Sequence, residues 1–128
     1  MLLLCSILVG CGHLRDHEDT TPLIGTWKVI KGMTVEDQKT GYAEIIFRNN
    51  REYQASYDSP GWRSVQKAKW KVISDIQVAV TGVSLHTKFG KMENIEELPD
   101  FIILWSIHED GKLILQTSNS RLVLERIR

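Results

Sequence analysis

The sequence predicts an all-β protein, an eight-stranded antiparallel up-and-down barrel. Three observations favour this fold class. From Leu23 onward, apolar and polar residues alternate with a period of two, which is typical of strands that bury one face. The alternating runs are short and follow one another at hairpin spacing. No helix-length pattern of the kind that parallel crossovers need separates the runs, and a meander of eight strands removes its open edges by closing into a barrel.

Length and composition limit the class of protein. The chain has 128 residues, which allows one domain, and its 42% apolar and 25% charged residues exclude disordered, collagen-like and coiled-coil chains. The 16 basic residues balance the 16 acidic ones, which argues against nucleic acid as a main partner because phosphates need a basic surface. Two cysteines are too few for a dense disulfide framework.

Four strands are predicted in the first half of the domain. They are Leu23–Ile30, Tyr42–Arg48, Arg51–Tyr57 and Trp62–Val72. Asn49-Asn50 predicts a hairpin turn because asparagine tolerates positive φ, and Asp58–Gly61 predicts a second turn because it contains Pro-Gly.

Four more strands follow in the second half. They are Ile76–Val83, Phe101–Ile107, Lys112–Thr117 and Arg121–Ile127. The residues between the first two break the alternation: the part up to about Lys88 extends the preceding strand, and Met92–Leu98 predicts two turns of helix. The reason for the helix is that Met92, Ile95 and Leu98 fall on one helical face, before Pro99.

The alternation assigns one set of side chains to the barrel interior. These are Trp27, Val29, Ile45, Phe47, Tyr53, Ala55, Tyr57, Ser64, Gln66, Ala68, Trp70, Val78, Ile103, Trp105, Leu113 and Leu115. Ser64, Gln66 and Ala68 are small or polar beside tryptophans, so they leave space and a hydrogen-bonding group for a ligand. Gln66 equally fits a second role, in which it only satisfies backbone groups near one end of the barrel.

The N-terminal residues have the pattern of a targeting signal. The apolar run Leu2–Val9 is too short to span a bilayer and suits a secretory signal, and Leu8-Val9-Gly10-Cys11 resembles the lipobox of bacterial lipoproteins. The resemblance implies that residues 1–10 are a signal peptide, that Cys11 carries acyl chains such as palmitate, and that residues 11–22 include a flexible tether. The alternative is a core segment of a soluble protein with Cys11 as a buried thiol.

The same resemblance implies a location in the bacterial cell envelope. Gly12 follows the lipidated cysteine, and by the sorting rule of enteric bacteria a residue other than Asp implies the outer membrane, facing the periplasm. In a Gram-positive cell the same anchor would hold the protein on the outer face of its only membrane.

The first and the last predicted strand each carry a short motif. Gly25-Thr26-Trp27 reads G-x-W, and Leu122–Arg126 reads L-x-L-x-R. With the strand pattern, these motifs resemble lipocalin-like domains over residues 23–128. Arg126 is in phase with the leucines of its strand, so its guanidinium is predicted to stack on the Trp27 indole. Gly25, Trp27 and Arg126 would thus close the base of the barrel.

No catalytic constellation is recognisable. The sequence has no G-x-S-x-G elbow, CxxC pair, HExxH or glycine-rich phosphate loop, so we expect no enzyme and no cofactor. His86 lies in a connecting segment and His108 in a turn. His13 and His17 could hold zinc or copper on a helix, but a solvated linker is the favoured interpretation, and no metal site is expected.

The leading hypothesis for function is the binding of a small apolar or amphipathic ligand inside the barrel. The side chains expected to contact it are Tyr53, Tyr57, Gln66, Trp70, Phe89 and Trp105. Phe89 and the Met92–Leu98 segment would form a lid.

Two other interpretations remain open. The barrel could be filled and dock a protein or another envelope component on its outer surface, for example as an inhibitor of an envelope-attacking hydrolase. Lys67, Lys69 and Lys71 with Arg63 either keep one strand soluble or contact anionic headgroups or an acidic partner.

Overall fold

The structure is a computed structural model that describes residues 21–32, 41–118 and 120–127. The lipobox, the signal segment, most of the tether, His13 and His17 lie outside these residues. A 3-10 turn, Thr21–Leu23, precedes nine strands. The strands are β1 (Gly25–Lys31), β2 (Tyr42–Phe47), β3 (Glu52–Ser59), β4 (Trp62–Ser74), β5 (Gln77–Phe89), β6 (Met92–Leu98), β7 (Phe101–Ile107), β8 (Leu113–Gln116) and β9 (Arg121–Arg126).

Eight of the nine strands close into an antiparallel barrel, which confirms the predicted fold class. The strand order is β4-β3-β2-β1-β9-β8-β7-β5, and β4 also pairs with β5. The first and last strands meet in register, with Trp27 opposite Arg126 and Val29 opposite Leu124. We call the end of the barrel near Trp27 the base and the opposite end the mouth.

Strand β5 changes its partner halfway along. Its first part, Gln77–Val80, pairs with β7, and its second part, Val83–Phe89, pairs with β6. A bulge separates the two parts at Gly82, whose φ is +63°, and the Gly82 N–H donates to Asp100 Oδ1 at 3.1 Å. Pro99 has no N–H to continue a ladder, so the break between β6 and β7 falls opposite this bulge.

The helix predicted over Met92–Leu98 is wrong, because this segment is strand β6. Gly90 has φ +62° at the first position of a two-residue turn, as a type II′ hairpin requires. All seven residues of β6 then pair with β5, from Phe89 opposite Met92 to Val83 opposite Leu98. The extension of β5 supplies backbone partners for this segment, and such pairing overrides the local helical pattern.

The predicted turns are present, with one difference in backbone conformation. Pro60-Gly61 forms a two-residue turn in which Gly61 has φ +79°, as expected for Pro-Gly. In the turn after β2, however, the positive φ of 71° belongs to Arg51 and not to an asparagine. The Arg51 guanidinium lies 4.4 Å from the Trp70 ring centroid, and this stack accompanies the unusual backbone conformation of Arg51.

The lower half of the barrel is solidly packed. Ten of the sixteen side chains predicted to point inward are buried in the barrel, and Leu23, Val80, Val83 and Leu124 join them in the core. The Phe47 ring packs edge-on against Tyr53 and Trp70, with centroids 5.4 and 5.6 Å apart. Tyr53 also meets Phe101 at 6.3 Å. Because β3 and β7 are not neighbours in the sheet, this contact crosses the interior and fills it.

The base is closed by the predicted pair of Trp27 and Arg126. The guanidinium carbon lies 4.2 Å from the Trp27 ring centroid, and the guanidinium donates hydrogen bonds to the carbonyls of Ile24 and Pro22. Trp27 Nε1 donates to the Leu23 carbonyl at 2.9 Å. Arg126 remains exposed while Trp27 is buried, so the arginine covers the tryptophan from outside. The Pro22 carbonyl, just before the first strand, therefore takes part in closing the base.

Replacing Arg126 should loosen this base. We expect Arg126→Ala to lower the free energy of unfolding by about 1–3 kcal/mol, because it removes the stack and two charge-assisted hydrogen bonds. The control is Arg121→Ala, an exposed arginine at the other end of β9, which should change stability by less than about 0.5 kcal/mol. Urea unfolding of both variants measures the difference, and equal effects would contradict a closing role for Arg126.

Candidate ligand-binding cleft

The upper half of the barrel holds a cleft that opens at the mouth. Its volume is about 390 Å³. The side chains that define it come from β1 to β4 and from β9, and they include Val29, Ile45, Ala55, Tyr57, Gln66 and Leu122. The aromatic contacts of Tyr53 with Phe47 and Phe101 lie below and form its floor.

Small side chains create the space. Along β3, the inward positions above Tyr53 are Ala55 and Tyr57, and their cross-strand partners on β4 are Gln66 and Ser64. On the other side of β3, Ala43 stands opposite Tyr57. Alanine and serine at these positions cannot reach across the barrel as Trp70 and Phe47 do nearer the base. The interior is therefore filled below and open above.

The cleft combines apolar walls with a few polar groups near the mouth. Gln66 contributes an amide, and Tyr57 and Ser64 contribute hydroxyl groups. The Tyr57 ring packs on Trp62 with centroids 5.0 Å apart. A side chain at Gly41 would collide with the Tyr57 hydroxyl, so glycine at this position allows the ring to lie at the rim. This arrangement suits a ligand with an apolar body and a polar end.

The structure divides the six predicted ligand contacts into three groups. Tyr57 and Gln66 line the cleft. Tyr53 and Trp70 are buried in the packed lower half, where they form the floor rather than the wall. Phe89 is 64% exposed at the tip of the β5–β6 hairpin, and Trp105 packs at the edge of the core; neither lines the cleft.

Most of the wall residues are absent from the predicted set of ligand contacts, among them Ala55, Ser64 and Leu122. Ala55 and Ser64 were predicted to face inward, and their small size was the available signal for an open space. Leu122 lies on β9, which reaches the cleft only because the barrel closes. The pattern within one strand contains no information about that contact.

The described residues show little that resembles a catalytic or metal centre. Ser84 Oγ and His86 Nε2 lie 3.5 Å apart on the outer face, but within the described part of the chain no carboxylate accepts a hydrogen bond from this ring. A nucleophile and its base need such a third group to orient the imidazole. In residues 21–32, 41–118 and 120–127, no three His, Cys, Asp or Glu side chains are grouped closely enough to hold a metal ion.

The barrel is an architecture compatible with ligand binding. No known protein family, no curated protein and no solved structure matches the chain. The functional assignment therefore depends on the geometry of the barrel itself. None of the helical segments in the described ranges is long and apolar enough to cross a bilayer.

Because Tyr53 is buried in the floor of the cleft, the free energy of unfolding should fall at alkaline pH. Burial raises the pKa of Tyr53 above its ordinary value of 10.0, because the tyrosinate would lose its hydration. The unfolded chain therefore releases this proton at a lower pH than the folded chain does. The stabilising contribution is complete below pH 10 and falls as the pH rises further, by up to about 1.4 kcal/mol per pH unit.

Tyr53→Phe should remove this part of the pH dependence. Urea unfolding between pH 9 and about 11.5 should show a shallower decline for Tyr53→Phe than for the parent chain. The control is Val78→Ala, which removes part of another buried core side chain but no titratable group, so it should lower stability and keep the parental slope. If Tyr53→Phe kept that slope too, Tyr53 would not form the closed floor of the cleft.

Proposed function

We propose that the chain is a membrane-anchored lipoprotein whose lipocalin-like barrel binds a small apolar or amphipathic ligand without catalysing a reaction. The observation that carries this proposal is the cleft of about 390 Å³ above a packed floor. Its volume falls within the range of about 300–1,000 Å³ that is usual for small-molecule sites. The closed floor favours a site with one entrance, where a ligand enters and leaves through the mouth.

The distribution of polar groups supports an amphipathic ligand. Val29, Ile45 and Leu122 offer apolar contact inside the cleft, whereas Tyr57 and Gln66 can hydrogen-bond near the rim. An apolar body would therefore be removed from water while a polar end stays near the opening. Desolvation of the body supplies affinity, and the amide and hydroxyl groups orient the ligand.

The lipid anchor is supported by the lipobox-like Leu8-Val9-Gly10-Cys11, and the position of Thr21–Leu23 indicates where its tether would leave the barrel. This turn lies at the base, where Arg126 bonds to the Pro22 carbonyl. A tether that continues from Thr21 towards a lipidated Cys11 would leave the barrel at its base. The mouth, at the other end, would then be free to face the periplasm from the outer membrane, or the exterior of a Gram-positive cell.

A second candidate function is docking of an envelope protein on the outer surface, without a ligand. The observation in its favour is a pair of exposed apolar side chains on the outer face of β7, Ile102 at 50% and Leu104 at 39%. An inhibitor of an envelope-attacking hydrolase would belong to this class. Occupation of the cleft distinguishes the two functions, because a docking module has no need of an open interior.

Filling the cleft should abolish ligand binding. The neutral fluorescent probe N-phenyl-1-naphthylamine should bind the parent chain with enhanced emission, and Ala55→Trp should weaken that binding at least about tenfold, a change of 1.4 kcal/mol. The control is Ala79→Trp on β5. Ala79 lies between the inward-facing Val78 and Val80, so its side chain is on the outer face of the barrel. This variant should bind the probe as the parent chain does.

Thermal unfolding of the same variants shows whether each one is folded. Ser64→Leu is a second variant that fills the cleft with a smaller side chain. A folded Ala55→Trp variant with parental probe affinity would overturn the ligand-binding proposal and favour the docking function. Absence of probe binding by the parent chain would have the same meaning.

Acylation should depend on Cys11 alone. When the full chain is expressed in a bacterium fed with alkyne-tagged palmitate, we expect the parent chain to carry the tag and Cys11→Ser to lose it, because the thiol is the acceptor. Cys5→Ser is the matched control and should keep the tag, since the signal segment that contains it is removed. Labelling that survives in Cys11→Ser would contradict the lipid anchor.

A further inference from the structure

A second concave site lies on the outside of the barrel. Two adjoining depressions of about 570 and 490 Å³ follow the outer face of β3, β4, β5 and β6, and both are lined by Gln54 and Lys67. We call the two together the outer groove. It crosses the bulge at Gly82, where β4 and β5 shift their register, and it shares no described wall residue with the cleft inside the barrel.

Positive charge is concentrated in this groove, although the whole chain has a formal net charge of zero. Five cationic side chains and two carboxylates line it. The cations are Arg48, Arg63, Lys67, Lys69 and Lys88, and the carboxylates are Glu52 and Glu93. The excess of cations produces a local positive potential that a neutral protein would otherwise lack.

Among the lysines of the groove, Lys67 has no carboxylate at the facing position of either neighbouring strand, since its register partners are Gln54 and Ser84. Arg63 forms an ion pair with Asp58, with Nε and Oδ1 3.3 Å apart, but across the described ranges Lys67, Lys69 and Lys88 form none. Arg63 and Lys88 stand directly opposite each other on β4 and β5. Asp58 and Glu93 flank this pair on β3 and β6, and Glu52 faces Lys69, so Lys67 is the lysine whose charge a bound anion would offset most.

The rest of the lining suits an organic anion rather than a bare ion. Val65 and Ile95 provide apolar surface, and Ile95 is 66% exposed. Gln54 and Ser84 supply uncharged hydrogen-bonding groups on either side of Lys67, their register partner on β4. A charged group between the lysines and a short carbon skeleton against Val65 would use both kinds of surface.

We infer that the outer groove binds a phosphate ester of the glycerol phosphate type, with its phosphate held by Lys67 and Lys69, which lie two residues apart on the same face of β4. A phosphate monoester or diester matches several cations at once, because its oxygens accept charge-assisted hydrogen bonds in different directions. The site is independent of the ligand proposed for the cleft. The same chemistry is present in a soluble glycerol phosphate and in the headgroup of an anionic phospholipid.

The first test is an NMR titration of the full chain with sn-glycerol 1-phosphate, at ionic strength held constant with chloride. We expect saturable shifts of the backbone amides over residues 63–69 and 84–88. Lys67→Gln should weaken binding at least tenfold, because Lys67 lines both depressions. Lys71→Gln is the matched control: Lys71 is exposed on the same face of β4 but lies outside the groove, so affinity should not change.

The outcomes distinguish specific binding in the groove from nonspecific electrostatic attraction to the basic surface. Equal weakening by Lys67→Gln and Lys71→Gln, or no saturable shift up to about 20 mM ligand, would overturn the inference. Ala55→Trp should leave these shifts intact, so failure of the cleft proposal and failure of this one are distinguishable.

A second experiment distinguishes a lipid headgroup from a soluble phosphate ester as the ligand. Vesicles of phosphatidylglycerol are compared with vesicles of phosphatidylcholine, and only the difference between Lys67→Gln and Lys71→Gln is interpreted, since an N-terminal anchor would add equally to both variants. Binding to phosphatidylglycerol that depends on Lys67 assigns the groove to a lipid headgroup. Titration with the soluble ester but no such vesicle binding assigns it to a free phosphate ester.

Discussion

The pairing of the first strand with the last is the constraint on which the rest of the structure depends. Without β1 beside β9, the sheet would have two open edges, and its apolar face would need another layer to cover it. The contact between Trp27 and Arg126 reinforces that pairing at the base, where the arginine also bonds to the Ile24 carbonyl. Closure turns one face of every strand into a shared interior, and the side chains on that face decide where the interior is filled.

Both candidate sites follow from how strand length and side-chain size vary around this closed sheet. Large residues such as Trp70 fill the base, and small ones such as Ala55 leave the upper half open. Strands β4 and β5 have thirteen residues each and continue beyond the short β8, which has four. The extended part carries β6 and the larger depression of the outer groove, so this wall offers a binding surface on its outside as well as its inside.

The sequence predicts the fold better than it predicts the site. Phe101–Ile107 has the same bounds as β7 because a strongly apolar run between turn residues has few alternatives. Met92–Leu98 fits both a helical face and a strand, and only the partner offered by β5 decides between them. Gln66 was identified as a cleft residue because a polar group at an inward position is unusual. Phe89 was misplaced because alternation gives the face of a residue but not its distance from the barrel axis.

Closure can be tested most directly by NMR in solution, through contacts between strands that are far apart in the sequence. The account predicts strong cross-strand NOEs between the backbone protons of Lys28 and Glu125 and of Val29 and Leu124, the register partners on β1 and β9. It also predicts slow amide exchange in both strands, since each is paired on two sides. Absence of these NOEs, with fast exchange along one side of β1 or β9, would show an open sheet and would contradict the barrel and its cleft.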